Sequence, residues 1–255
     1  MRSLKYIAAT LFLVTVMLVA AAFINIKKSP ATDNGKGFAV IELFTSEGCS
    51  SCPPADAVVA KIQKESEGKP IYILAFHVDY WNRLGWTDAF SSADYSKRQE
   101  QYAAWLHSTD GIYTPQIVVN GKTEFVGSEE GTLRSVIKTN LQKDAAAQVS
   151  LSDIQSDGQK IKLRYQTQGN INNTILQLAF IQKSAQTKVE SGENGGRTLS
   201  HVQIVRALQS VPLKNAEGTA SITVPKEVNM HGAELIAFLQ DTSNGVVTGA
   251  TKADL

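Results

Sequence analysis

The chain has 255 residues, 43% of them hydrophobic and 19% charged, and its 25 basic and 24 acidic side chains leave a formal net charge of +1. That balance argues against nucleic acid and against strongly acidic partners. The length leaves room for one large domain or two small ones once a leader is set aside.

The N-terminus reads Met1-Arg2-Ser3-Leu4-Lys5 and then runs apolar from Tyr6 to Ile24, interrupted by Thr10 and Thr15. Basic residues followed by an apolar stretch describe an export signal, and Ala20-Ala21-Ala22 offers a small-residue cleavage site. The run also approaches the roughly 20 residues that span a bilayer, so a retained membrane anchor is the alternative over residues 1–26. Either way the remainder is expected outside the cytoplasm, periplasmic or extracellular, where dithiols persist oxidised. Residues 27–37 are polar around Ala31–Gly37 and read as a tether.

Phe38–Phe44 reads as a buried strand, and Ala55, Val58, Val59 and Ile62 follow with helical spacing. Between them lies Cys49-Ser50-Ser51-Cys52, which holds the only two cysteines of the chain. A disulfide across so short a loop removes little unfolded-state entropy, so its value reads as chemical. Cys49, at or just before the helix N-terminus, is the candidate nucleophile. Cys52, one turn inside, is the candidate resolver. Pro53 and Pro54 lack N–H groups, so regular helix is expected only from about Pro54. Glu42, seven residues before Cys49, is the candidate acid that moves a proton to the resolving thiol, provided it is buried.

Pro70 opens a second buried strand, Ile71–Phe76, followed by His77-Val78-Asp79-Tyr80-Trp81 and Leu84-Gly85-Trp86. In a parallel sheet this strand would end on the same edge as the cysteine pair. His77 is a candidate for tuning the thiolate, and Trp81 for a substrate platform. Ser92–His107 has a helical face of Tyr95, Tyr102 and Leu106. Tyr113-Thr114-Pro115 then leads into Ile117-Val118-Val119, with Asn120-Gly121 turning a hairpin into Thr123–Val126. Leu133, Val136, Ile137 and Leu141 mark a last helix.

From about Gln148 the texture changes to short apolar runs separated by Gly, Asn and Asp, which predicts an all-β unit. The segment Glu190–Arg197 reads as a hairpin loop with structural glycine turns and an Arg–Glu ion pair, in preference to a cover over the dithiol on which Arg197 or His201 would act.

A strand, a C-x-x-C pair, a helix and a later Thr-Pro strand resemble thioredoxin-like proteins in their order. The run Val40-Ile41-Glu42-Leu43-Phe44-Thr45-Ser46-Glu47-Gly48-Cys49-Ser50-Ser51-Cys52-Pro53-Pro54-Ala55-Asp56 resembles the signature of an uncharacterised secreted thioredoxin-like family, catalogued as a domain of unknown function. His77–Trp81 with Leu84–Trp86, Tyr113–Gln116 and Gly195–Val202 are similar to its later blocks. The resemblance implies an α/β thioredoxin-like domain over residues 38–147 followed by a small β-sandwich-like domain over 148–255. It also implies that Pro115 is cis and faces the dithiol, with Thr114 pairing a bound substrate.

The expected function is therefore an exported thiol–disulfide oxidoreductase, acting on protein or small-molecule thiols and disulfides and needing no cofactor or resident metal. Two alternatives stand beside it. One is a copper-binding or metal-delivery module using Cys49, Cys52 and His77. The other is a non-catalytic interaction protein with a structural disulfide.

Overall fold

The computed structural model describes residues 36–109, 111–230 and 232–255. The expected export signal or anchor over residues 1–26, and most of the tether over 27–37, lie outside them. No helix among the described residues is long and apolar enough to cross a membrane.

Strands β1 (Ala39–Thr45) and β2 (Ile71–His77) are buried at every residue and pair in parallel, from Ala39↔Ile71 to Thr45↔His77. Unbroken apolar runs of this kind need cover on both faces, which an interior position in a sheet supplies. Helix α1 (Pro53–Glu65) makes the crossover between them. It starts at Pro53 rather than Pro54, because neither proline is asked for an N–H in the first turn. Helix α2 (Ala93–Trp105) opens with the Ser92 side chain accepting from the Asp94 amide. Strands β3 (Gln116–Val119) and β4 (Thr123–Val126) form the expected hairpin, with φ of 50° at Asn120 and 64° at Gly121. A Cβ on Gly121 would stand 1.9 Å from the Gly245 carbonyl oxygen, so glycine is required by contact as well as by φ. Helix α3 (Glu130–Leu141) closes this half.

Seven strands follow: β5 (Ala147–Asp157), β6 (Lys160–Gly169), β7 (Thr174–Lys188), β8 (Thr198–Pro212), β9 (Glu217–Thr223), β10 (Glu234–Asp241) and β11 (Val247–Asp254). The expected fold class, an α/β thioredoxin-like domain followed by a small all-β domain, is overturned here. The chain is mostly β, and one mixed eight-stranded sheet runs β11-β10-β7-β8-β2-β1-β3-β4 through both halves. The join is a parallel bridge, Ala75↔Ile204, between β2 and β8.

Burial explains the merger. Leu176, Leu178 and Phe180 of β7 face a three-stranded sheet, β5-β6-β9, while Ala179 and Ile181 face the cluster that holds Phe44, Phe76 and Tyr102. Strand β10 is likewise buried on both sides at Leu235, Ala237 and Leu239 and at Ile236 and Phe238. Strands with two apolar faces belong inside a large sheet, not in a thin free-standing one. On the far side of β1, Ile41 and Leu43 pack on Ala55 and Val59 of α1 and on Leu133 and Ile137 of α3.

Candidate functional site

Because β1 and β2 run parallel, their C-terminal ends share one edge of the sheet, and the turn after β1 carries the cysteines there. Cys49 and Cys52 are joined in a disulfide, and both are fully buried although Ser50 and Ser51 between them are exposed. Cys52 is the N-cap of α1 rather than a residue one turn inside it. Pro53 and Pro54 offer no N–H, and the Ala55 amide is taken by the Cys52 carbonyl at 2.9 Å. The free amides that usually favour a thiolate at a helix start are thus missing here. A polar neighbour stands in at Cys49, whose Sγ lies 3.3 Å from the Ser51 hydroxyl. Ser51 Oγ also lies 3.5 Å from the Thr114 carbonyl oxygen.

The Thr114–Pro115 bond is cis. Thr114 Oγ1 accepts from Trp81 Nε1 at 2.8 Å, which ties the proline loop to the tryptophan. Trp81 in turn packs on Gly48, where an added Cβ would meet the tryptophan Cβ at 3.2 Å. Thr114, Pro115 and Trp81 thus gather around the cysteine turn.

Glu42 and His77 are placed differently from the expectation. Glu42 is buried, but it lies on the face of β1 opposite α1. Its carboxylate is gripped by Arg98 at 2.5 and 2.9 Å and also accepts from Tyr102 at 2.5 Å. A carboxylate committed to a guanidinium on the wrong side of the sheet is not the free acid read from the sequence. His77 is fully buried, with Nδ1 2.7 Å from Asp88 Oδ2, so it presents no surface beside the cysteine turn. Among the described residues no three His, Cys, Asp or Glu side chains form a metal-binding group.

The acid on the cysteine side is Asp56. It sits four residues after Cys52 on α1, where side chains lean back toward the helix start. It accepts from Thr45 Oγ1 at 3.2 Å. Burial, partly offset by His201 and His77, pushes its pKa up to about 6. His201 stands between two carboxylates, Nδ1 3.8 Å from Asp56 Oδ2 and Nε2 3.5 Å from Glu47 Oε1. Glu47 accepts from Trp86 Nε1 at 2.7 Å through its other oxygen, and its amide donates to Asp88 at 2.8 Å. Burial alone would lower the His77 pKa, but Asp88, its hydrogen bond, Asp56 and Glu47 together raise it. Burial would raise Asp88, and His77 with two backbone amides holds it below the ordinary value.

The Asp56 shift has a measurable sign. A carboxyl whose folded pKa is raised contributes stability below its unfolded pKa, and loses it as pH climbs through the folded value. Asp56→Asn should therefore gain on the wild type by roughly 2–4 kcal/mol in urea unfolding between pH 4 and pH 7. A constant difference across that range would contradict the assignment.

Sequence reasoning missed Asp56, Glu47, Asp88 and Asn194. The Asp56 signal was present, as an acid one turn beyond a C-x-x-C on the same helix face. Asn194 carries a correction. The loop Glu190–Arg197 does cover the cysteine turn, since Asn194 Nδ2 donates to the Glu47 and Cys49 carbonyl oxygens, both at 2.9 Å. Glu193 Oε2 accepts from the Ser50 amide at 3.0 Å. Arg197 donates to Asn194 Oδ1 at 2.6 Å.

Residues 40–240 match the profile of a family described as a protein of unknown function, DUF1223. The structure is similar to a crystal structure of an Agrobacterium tumefaciens protein solved as a structural-genomics target. The TM-score is 0.62 and the identity 27%, over 87% of this chain and 96% of that one. It is also similar to HBP35 of Porphyromonas gingivalis, with a TM-score of 0.60 and 14% identity over 88% and 77% of the two chains, a likeness of fold alone. No curated protein matches the chain.

Proposed function

The chain belongs to the DUF1223 family of unknown function, and from its own site we propose that it is an exported thiol–disulfide oxidoreductase exchanging disulfides through Cys49 and Cys52. The observation that carries the reading is a Cys49–Cys52 disulfide with a protonatable acid, Asp56, one helical turn from Cys52. The reading takes from thioredoxin-like proteins their exchange chemistry and not their fold.

The steps balance without a cofactor. The reduced Cys49 thiolate attacks a partner disulfide, forming Cys49–S–S–R and releasing the other partner sulfur as a thiolate that takes up a proton. Cys52 then gives its proton to Asp56 and attacks the Cys49 sulfur. The Cys49–Cys52 bond forms, and the second partner sulfur leaves and is protonated. The partner gains two electrons and the dithiol loses them. Run backward, the same steps oxidise a partner. An acid with a pKa near the working pH suits this transfer, because it can both accept and return the proton.

A non-catalytic protein with a structural disulfide is the second reading, and the complete burial of both sulfurs favours it. Mixing the oxidised protein with excess reduced peptide separates the two. Exchange predicts opening of the Cys49–Cys52 bond with matching formation of oxidised peptide. A disulfide that stays closed beside the reduced peptide overturns the proposal.

A further inference from the structure

Exchange requires a thiolate to approach a disulfide sulfur along the S–S axis, yet neither Cys49 nor Cys52 exposes any surface. Something over the turn must move. Trp81 is pinned to Gly48 and to Thr114, and Pro115 opens a buried strand. The β7–β8 loop is different. It is the tip of a long hairpin, and side chains tie it to the cysteine turn.

Those ties converge on one peptide group. Asn194 donates to the Cys49 carbonyl, and its neighbour Glu193 accepts from the Ser50 amide, so the peptide between the two residues is held at both its oxygen and its nitrogen. A second Asn194 N–H reaches the Glu47 carbonyl, and Arg197 fixes the amide by donating to its oxygen. Lifting the loop takes away the partners of the Ser50 amide and the Glu47 carbonyl, and leaves the Cys49 carbonyl only the Cys52 amide at 3.2 Å, all beside a disulfide. Such groups are costly to leave unmade. A small thiol cannot replace both kinds of bond, whereas a polypeptide brings amide donors and carbonyl acceptors together.

We propose that Glu193 and Asn194 hold the β7–β8 loop in the place of a polypeptide substrate that displaces it and takes over its hydrogen bonds. The inference rests on the exchange reading and narrows its substrates to polypeptide thiols and disulfides over small ones.

The test compares rates of attack on the oxidised Cys49–Cys52 bond by dithiothreitol, by a ten-residue peptide with one cysteine, and by the same peptide N-methylated along its backbone. Each thiol must lift the same loop, so Asn194→Ala should raise the dithiothreitol and peptide rates alike, by about tenfold. Glu193→Ala, at an exposed position that does not threaten folding, should raise both by about two- to threefold. The peptide should react several-fold faster than its N-methylated form, which has no amides to give to the vacated carbonyls. Unchanged rates in a folded Asn194→Ala protein and in Glu193→Ala overturn the proposal, as do equal rates for the peptide and its N-methylated form. If Asn194→Ala does not fold, Glu193→Ala decides by the same readouts. The reduction potential is measured on the same samples. A potential as low as that of structural disulfides removes the exchange reading, while the rate ratios still report on the loop.

Discussion

Cys49→Ser should reduce disulfide exchange to the uncatalysed background, while Cys52→Ser should accumulate a mixed disulfide with the partner that mass spectrometry detects. The asymmetry follows from the surroundings of the two sulfurs. Cys49 Sγ has the Ser51 hydroxyl at 3.3 Å to stabilise a thiolate. Cys52 caps α1 and has Asp56 one turn along to take its proton. Neither substitution should unfold the chain. Serine is close to cysteine in size, and losing a cross-link over so short a loop costs about 2 kcal/mol in the chain-entropy account. Equal activity in both variants and the wild type would remove the proposed roles.

Arg98→Met is the second large effect, and it falls on stability. Arg98 grips Glu42 through two hydrogen bonds, donates to Gln240 Oε1 at 3.2 Å, and lies over the Phe76, Tyr102 and Phe238 rings. Methionine keeps much of the stem but strands a buried carboxylate, a change that costs about 3–5 kcal/mol. Glu42→Leu combined with Arg98→Met should recover most of that loss, because an apolar pair leaves no charge without a partner. Urea unfolding of the four proteins gives the coupling directly. A loss under about 1 kcal/mol in the single variant would mean the pair is not buried as described. The same variants also separate Glu42 from the chemistry. The double variant should keep the wild-type rate at which Cys52 resolves a mixed disulfide, whereas Asp56→Asn should slow it by roughly 10²-fold or more.

Local signals in the sequence carried well where the chemistry is local. The apolar run before Cys49 and the spacing after it located β1 and α1, and Asn120-Gly121 located the β3–β4 hairpin. The architecture was not legible because β7 and β10 carry apolar residues on both faces, and such runs do not name their neighbours. The choice of acid failed for a related reason. Every residue of β1 is buried, so no alternation of polar and apolar residues reveals which way Glu42 points. Its side is set by Arg98, 56 positions away. His201 and Asn194 reach the cysteine turn only because β8 lies beside β2 and the loop before it folds back. Their bonds to the turn span 145 and 147 positions for Asn194.

The most direct measurement is the reduction potential of the Cys49–Cys52 pair, taken in glutathione buffers with alkylation to count free thiols. An exchanging dithiol should give one two-electron transition between roughly −120 and −270 mV. A potential below about −300 mV would mark the bond as structural and contradict the account.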